Sequence, residues 1–426
     1  MGNAIMSRLF HTERGRMFDS VNEEVTRWRW ARKVLTLPAA AARSRAQLWL
    51  FLLMYDGNRT PLIVSLNGRK LGQVAPRKHF ATQWVWCRLP VPGGRLKRGR
   101  NELILRSDNP AMNAWVLGIE NGHTDPASFL SLDRGVRWQN RAMGAHGMLR
   151  GEYLIRLRSQ SERLTDDGPP AVAYENPNHP RVRELRGLLP ARIVKQRDPW
   201  KQLLGLRTWV AMRWNHDNKG RSYSPWDPWT VLDWVRRDTC HGHKGRIAFC
   251  VHFAVVFGAF AAALGHRARG VAVTDDFNSM NGHFMSEVWD DRLGRWVLHD
   301  PNYDLHYEDV RPLSAFDLAD RSHRGRALHR LVRKGPGTPK RPRYLIELFR
   351  DHFATGTSFR CVGVWSRNDF VSDPTAAPPN HGATSYCETE FVWYDPPGMH
   401  LAEPFPYRAA DRRYFDAAPR RRNSGE

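Results

Sequence analysis

Residues 249–264, FCVHFAVVFGAFAAAL, are apolar or glycine except for His252. A helix that is hydrophobic all round must be enclosed on every side. The stretch is shorter than the roughly 20 residues needed to cross a bilayer, so it reads as a buried helix and not as a membrane span. Wrapping it takes a large core, and 426 residues with 17 Trp can supply one. On a soft prior of about 150 residues per domain the chain holds two or three domains. With 41% hydrophobic and 25% charged residues, disorder of the whole chain is excluded.

The formal net charge is +22, and the basic residues are 55 Arg against 10 Lys. They are spread along the chain, with short clusters only at 326–343 and 420–422. Dedicated nucleic-acid proteins concentrate such residues on one face or arm. The excess therefore reads as a general attraction for anions and not as dedicated nucleic-acid binding. The five cysteines, at 87, 240, 250, 361 and 387, include no Cys-x-x-Cys pair. An odd number leaves at least one thiol over and argues against a disulfide framework. Met1–Phe10 has no apolar h-region, so no signal peptide is visible and the cytoplasm is the default compartment.

Residues 1–20 read as a polar tail. Between 21 and 160 the chain shows short strands separated by turns: Leu48–Tyr55, Leu62–Leu66, Trp84–Leu89, Asn101–Arg106, Ala114–Ile119 and Gly151–Leu157. Asn67-Gly68 after the second of these is a hairpin signal. Many short strands at this spacing predict an all-β sandwich. Residues 161–195, rich in Asp, Asn, Pro and Gly, read as a linker. Helical patterns follow at about 199–215 and 227–238. A basic loop or arm is expected at 321–343, a helix at 344–354, and strands near 359–365 and 386–394. Residues 401–426 read as a polar tail. The block at 196–400 is the expected catalytic domain.

Gly245 and Gly265 bracket the apolar helix, so Cys250 falls in or near its first turn. The positive end of a helix dipole favours the thiolate, which is the nucleophilic form of cysteine. Most lone cysteines are simply small core residues, so the neighbouring elements decide. Arg269–Val273, His283–Trp289 and Arg295–Asp300 read as strands, the last two joined by a short polar connection. If Trp289 lies opposite Gly294 across a four-residue loop, His283 falls directly opposite Asp300. A carboxylate beside an imidazole fixes its tautomer and stabilises the imidazolium.

The segments FCVHFAVVFGAFAAALGHRARGVAV, GHFMSEVW and RWVLHDPNYD together resemble the transglutaminase-like core, a branch of the papain-like cysteine peptidase fold. A Cys opens an apolar helix ending in Leu-Gly, an Arg precedes a strand, and a His on a strand is followed by Glu-Val, Trp and then Asp-Pro. The resemblance implies an α+β domain, a central buried helix packed on an antiparallel sheet. It also implies Cys250 as nucleophile, His283 as general base and then acid, and Asp300 as orienting carboxylate. Two features depart from the pattern: Ile247-Ala248-Phe249 stands where small residues commonly precede the Cys, and an aromatic follows His283 by one position instead of two. VSLNGRKLG, LPVPGGRLKRGRNELILRS and AWVLGIE in the N-terminal region resemble a galactose-binding-like jelly roll.

Other residues were weighed against these. Cys240, His243, Cys250 and His252 are zinc ligand types, but their spacing matches no common site. No metal or other cofactor is expected. Trp214, 36 residues before Cys250, matches the spacing of an oxyanion-holding Trp in transglutaminases, with core packing as its plainer role. Glu287 shares the His283 face by the two-residue period and reads as a structural ion-pair partner. The expected function is a thiol enzyme that attacks amide bonds of a protein or peptide substrate, glycan-bearing or not, through a thioester acyl-enzyme. Hydrolysis is preferred to cross-linking because the sequence identifies no dry acceptor site. The alternative is an inactive scaffold of the same fold whose sandwich binds carbohydrate.

Overall fold

The structure, a computed structural model, describes residues 7–13, 22–82, 84–160, 169–213, 216, 228–237, 250–276, 282–336, 343–373, 391–399 and 407–419. The chain divides into two compact units. The first is 1–168 with 378–389 and 403–408; the second is 169–377 with 390–402 and 409–426. No helix among the described residues is long and apolar enough to cross a membrane.

The first unit is all-β. One antiparallel sheet runs Ser7–Phe10, Ile155–Gln160, Ala46–Met54, Trp115–Leu117 and Glu23–Val25, with Val85–Val91 also paired to Ala46–Met54. A second runs Ser128–Ser131, Trp30–Leu37, Gly99–Arg106, Leu62–Leu66 and Arg69–Val74. Their inward side chains, Leu48, Leu50 and Leu52 from one and Leu35, Leu62, Leu103 and Leu105 from the other, form a single apolar cluster. The Asn67-Gly68 turn has φ of 51° and 78°, the doubly left-handed backbone of a tight hairpin. Within this unit Lys33 is fully buried and donates to the Glu152 carboxylate and to the Tyr153 carbonyl. Glu152 also accepts from Thr12 Oγ1 and Ser128 Oγ, each at 2.7 Å.

The second unit is α+β. Its sheet is ordered Val332–Lys334, Leu305–Tyr307, Arg295–Asp300, Gly282–Asp290, Ala268–Thr274, Cys361–Trp365 and Phe391–Tyr394, with antiparallel pairing throughout. The helix Cys250–Ala263 lies on this sheet, with all of Val251–Phe257 and Ala259–Ala263 buried. Pro180–Gly187, Pro199–Ala211 and Pro228–Arg237 supply its other walls. Gly265 at φ 96° ends the helix: its N–H bonds the Ala262 carbonyl and the His266 N–H the Ala261 carbonyl, so both last-turn acceptors are satisfied. Asp198 caps Pro199–Ala211 by accepting from the Trp200 and Lys201 amides.

Several expectations need correcting. The stretch read as a linker at 161–195 contributes structure in its second half, because Val182, Leu185, Leu189 and Ile193 are apolar at helical spacing and enter the core beside the central helix. Both expected tails carry aromatic anchors: Phe10 sits in the first core, and Phe415 stacks on Phe316 at 4.2 Å. In the basic segment 321–343, Val332–Lys334 pairs with Leu305–Tyr307 as an edge strand.

Candidate active site

The Cys250 helix, the His283 strand and the Asp300 strand bring their ends together. Ser286 Oγ donates to the Ala254 carbonyl at 3.0 Å and ties the first turns of the helix to the strand. Farther along, a Cβ on Gly258 would stand 3.9 Å from that of Ala268, so the small residues of the helix let it lie close on the sheet. Cys250 is the first helical residue and is half-buried, while His283 and Asp300 are buried.

His283 Nε2 stands 2.8 Å from Asp300 Oδ2. The other carboxylate oxygen accepts from the backbone amides of Asn302, at 2.9 Å, and Tyr303, at 3.1 Å. Asp300 is thus held at both oxygens, and the Asp-x-Asn turn that follows it does the holding. The His283 ring lies 5.5 Å from the Tyr303 ring and 4.9 Å from that of Phe353. Cys250 also acts on the imidazole, favouring its charged form. With Nε2 engaged by Asp300, Nδ1 is the nitrogen available to the thiol. Burial disfavours the imidazolium, but the Asp300 charge, its hydrogen bond and Cys250 outweigh it and lift His283 from 6.5 to about 10. At neutral pH the ring is therefore charged and clamped between a carboxylate and a sulfur.

The hairpin register differs from the expected one. Trp289 pairs with Trp296 and Asp290 with Arg295, so Trp289 is not opposite Gly294 and His283 is not directly opposite Asp300. The loop still has four residues, but it starts one later. Asp290 Oδ1 accepts from the Arg292 and Leu293 amides, and Gly294 takes φ 60°, which fixes Asp290 as the last paired residue. The change displaces the pairing by two, which keeps each side chain on its face. His283 and Asp300 become diagonal neighbours and still touch.

Glu287, on that same face, is directly opposite Arg269 and accepts from its Nε at 2.8 Å and its Nη2 at 2.6 Å. Its second oxygen accepts from the Ala315 amide at 2.7 Å. The Arg269 guanidinium covers the Trp296 ring at 4.0 Å. The pair is a buried structural clamp between the Ala268–Thr274 and Gly282–Asp290 strands. Trp214, Cys240 and His243 lie outside the described residues.

Two polar residues beside the site escaped the reading of the sequence. Asn302 is signalled only by the turn-forming Asp-Pro-Asn. His216, whose Nδ1 is 3.1 Å from Asn302 Oδ1, is 86 positions from its partner and has no local signal.

Residues 189–301 match the model of the transglutaminase-like superfamily. This stretch is a transglutaminase-like domain. It contains Cys250, His283 and Asp300. Solved structures similar to the chain include a candidate cysteine protease from Cytophaga hutchinsonii, at 12% identity over 64% of this chain and 75% of that one, with a TM-score of 0.24. Red sea bream transglutaminase is 12% identical over 68% of this chain and 53% of its own, with a TM-score of 0.21. Dimeric latent PorU from Porphyromonas gingivalis is 10% identical over 40% of this chain, with a TM-score of 0.23, and the chain spans only 14% of its length. TM-scores of this size carry no argument about activity. No curated protein matches the chain.

Proposed function

We propose that the transglutaminase-like domain is a cysteine-dependent enzyme that opens amide bonds through a thioester. The observation that carries this reading is His283, bonded to Asp300 at 2.8 Å and with Cys250 among the groups that hold its proton. An imidazolium held by a carboxylate stabilises a neighbouring thiolate, and that thiolate attacks the amide carbonyl. The tetrahedral oxygen develops negative charge, which amides at a helix start, that of Cys250 among them, are suited to receive. The C–N bond then breaks, and His283 gives its proton to the departing amine. This leaves an acyl group on Sγ and a neutral imidazole.

A water molecule resolves the thioester. Neutral His283 takes a proton from the water as its oxygen attacks the acyl carbon, the C–S bond breaks, and thiolate and imidazolium are restored. An amine attacking in place of water would give cross-linking with the same three residues. Hydrolysis is the reading adopted, on protein or peptide amides, because no dry acceptor site is identified beside Cys250 among the described residues.

The test is labelling of the whole protein with a panel of peptide electrophiles, followed by peptide mapping. Modification confined to Cys250 and lost in His283→Ala supports the reading. Equal labelling of His283→Ala, or none at Cys250, overturns it and leaves an inactive scaffold of the same fold.

A further inference from the structure

We infer that His216 is a positioning residue of the thiol site, acting through Asn302 on Asp300; the inference rests on the triad proposed above. His216 is buried, and its Nδ1 stands 3.1 Å from Asn302 Oδ1. An amide oxygen only accepts, so Nδ1 carries the proton in this contact. The ring lies within 13° of parallel to Phe253, 6.4 Å between centroids. Phe253 is in the first turn of the Cys250 helix. Asn302 is fully buried, and its backbone N–H is one of the two donors to Asp300 Oδ1.

One asparagine is thus gripped by its side chain and grips Asp300 with its backbone. His216 spans the two elements whose alignment the chemistry requires: the helix that carries the thiol and the turn that holds the carboxylate. Losing the bond to Asn302 removes one of the ties on that turn, and Asp300 is then held less firmly on the line to His283 Nε2. A misaligned carboxylate stabilises the imidazolium less. The groups facing His283 are Asp300, Cys250, Tyr303 and Phe353, and Arg207 is the next charge behind Asp300. Of these, Asp300 is the one linked to His216 through Asn302.

A merely packed ring at 216 needs only its shape, whereas a positioning ring needs its donor. His216→Phe keeps the stack on Phe253 and removes the bond. His216→Asn places an amide nitrogen where Nδ1 stood. The readout is the rate of Cys250 alkylation by iodoacetamide in the full chain from pH 5 to 9, followed on the Cys250 peptide, with His283→Ala as the reference. His216→Phe is expected to slow alkylation at pH 6 by up to about tenfold, the size of one hydrogen bond between neutral groups, and to move the midpoint of the profile upward. His216→Asn should keep the wild-type profile. Asn302→Leu should match His216→Phe, and the double variant should be no worse than either.

A wild-type profile in His216→Phe, with His283→Ala impaired, overturns the positioning role while leaving the triad standing. Equal impairment of the Phe and Asn variants also overturns it, since shape alone would then matter. An unchanged His283→Ala removes the triad and this inference with it. If His216→Phe does not fold, Asn302→Leu against Asn302→Gln decides: a difference in midpoint supports the role and none overturns it.

Discussion

His283 and Asp300 meet diagonally across their two strands, Nε2 to Oδ2 at 2.8 Å, with the rung between Ser286 and His299 being the last one paired before them. Beyond that rung the Asp300 strand turns to its next partner, so Asp300 pairs with Leu305 and not with the His283 strand. The carboxylate is therefore set by the Asn302 and Tyr303 amides more than by the ladder. It can be altered without disturbing the sheet.

The first prediction follows from that independence. Asp300→Asn should slow Cys250 alkylation at pH 6 by about ten- to a hundredfold, the worth of a charged hydrogen bond, and should lower the melting temperature at neutral pH, because the buried imidazolium loses its counter-charge. His283→Ala should slow alkylation at pH 6 at least as much. Alkylation and melting measured side by side check both. An Asp300→Asn protein that melts early yet is alkylated at pH 6 as fast as wild type would show that the pair is structural only.

The second concerns pH above neutrality. His283 is raised in the fold to about 10 from 6.5, so the folded state holds its proton more tightly than the unfolded chain. The stability it contributes is fully present below about 6.5 and is lost as the pH rises through about 10. Chemical denaturation of wild type against His283→Gln from pH 6 to 10 should show the difference between them shrinking steadily.

The acid side has the opposite cause. His299 is buried, and neither ring nitrogen has a partner among the described residues; its ring packs on Phe257 and Trp200. Burial, then the nearby charges of Arg207, His306 and His266, holds it well below 6.5. The unfolded chain then binds more protons at low pH, so stability is present above about 6.5 and falls as the pH drops below it. His299→Phe should gain on wild type progressively between pH 7 and 5. Parallel curves would contradict this.

In the first unit, Lys33→Met leaves Glu152 buried beside two hydroxyls with no cation, and should cost about 3–5 kcal/mol. The double change Lys33→Met with Glu152→Leu should recover much of that loss. Denaturant titration of the three variants is the measurement, and an equally unstable double variant would mean that packing, not charge, sets the cost.

Gly270 tests the packing behind the site. A Cβ there would stand 2.5 Å from a Trp365 ring carbon and 2.9 Å from one of Phe284. Gly270→Ala should lower stability by about 1–3 kcal/mol through overpacking, read as a drop in melting temperature.

Much of this was legible in the sequence because the decisive signals are local. An apolar run around Cys250 could only be an enclosed helix, Asn67-Gly68 could only be a tight turn, and the two-residue period put His283 and Glu287 on one face, which Asp300 shares because the observed register differs from the expected one by two residues. The register itself was missed because the Asp290 side chain claims the loop amides, which loop length alone does not reveal. The second half of the supposed linker was missed because its helix is short and Pro-flanked, and Val182 and Leu185 become core residues only once a larger helix is laid against them. His216 was invisible for the same reason, since its meaning lies in a partner far along the chain.

The enclosure of the Cys250 helix has a consequence for exchange with solvent. Its amides beyond the first turn face packed helices and a sheet, so no local fraying exposes them, and deuterium enters only when the whole unit opens. Their exchange rates therefore report the global unfolding free energy of the transglutaminase-like unit, and they can serve as its internal gauge in any variant, with no substrate at hand.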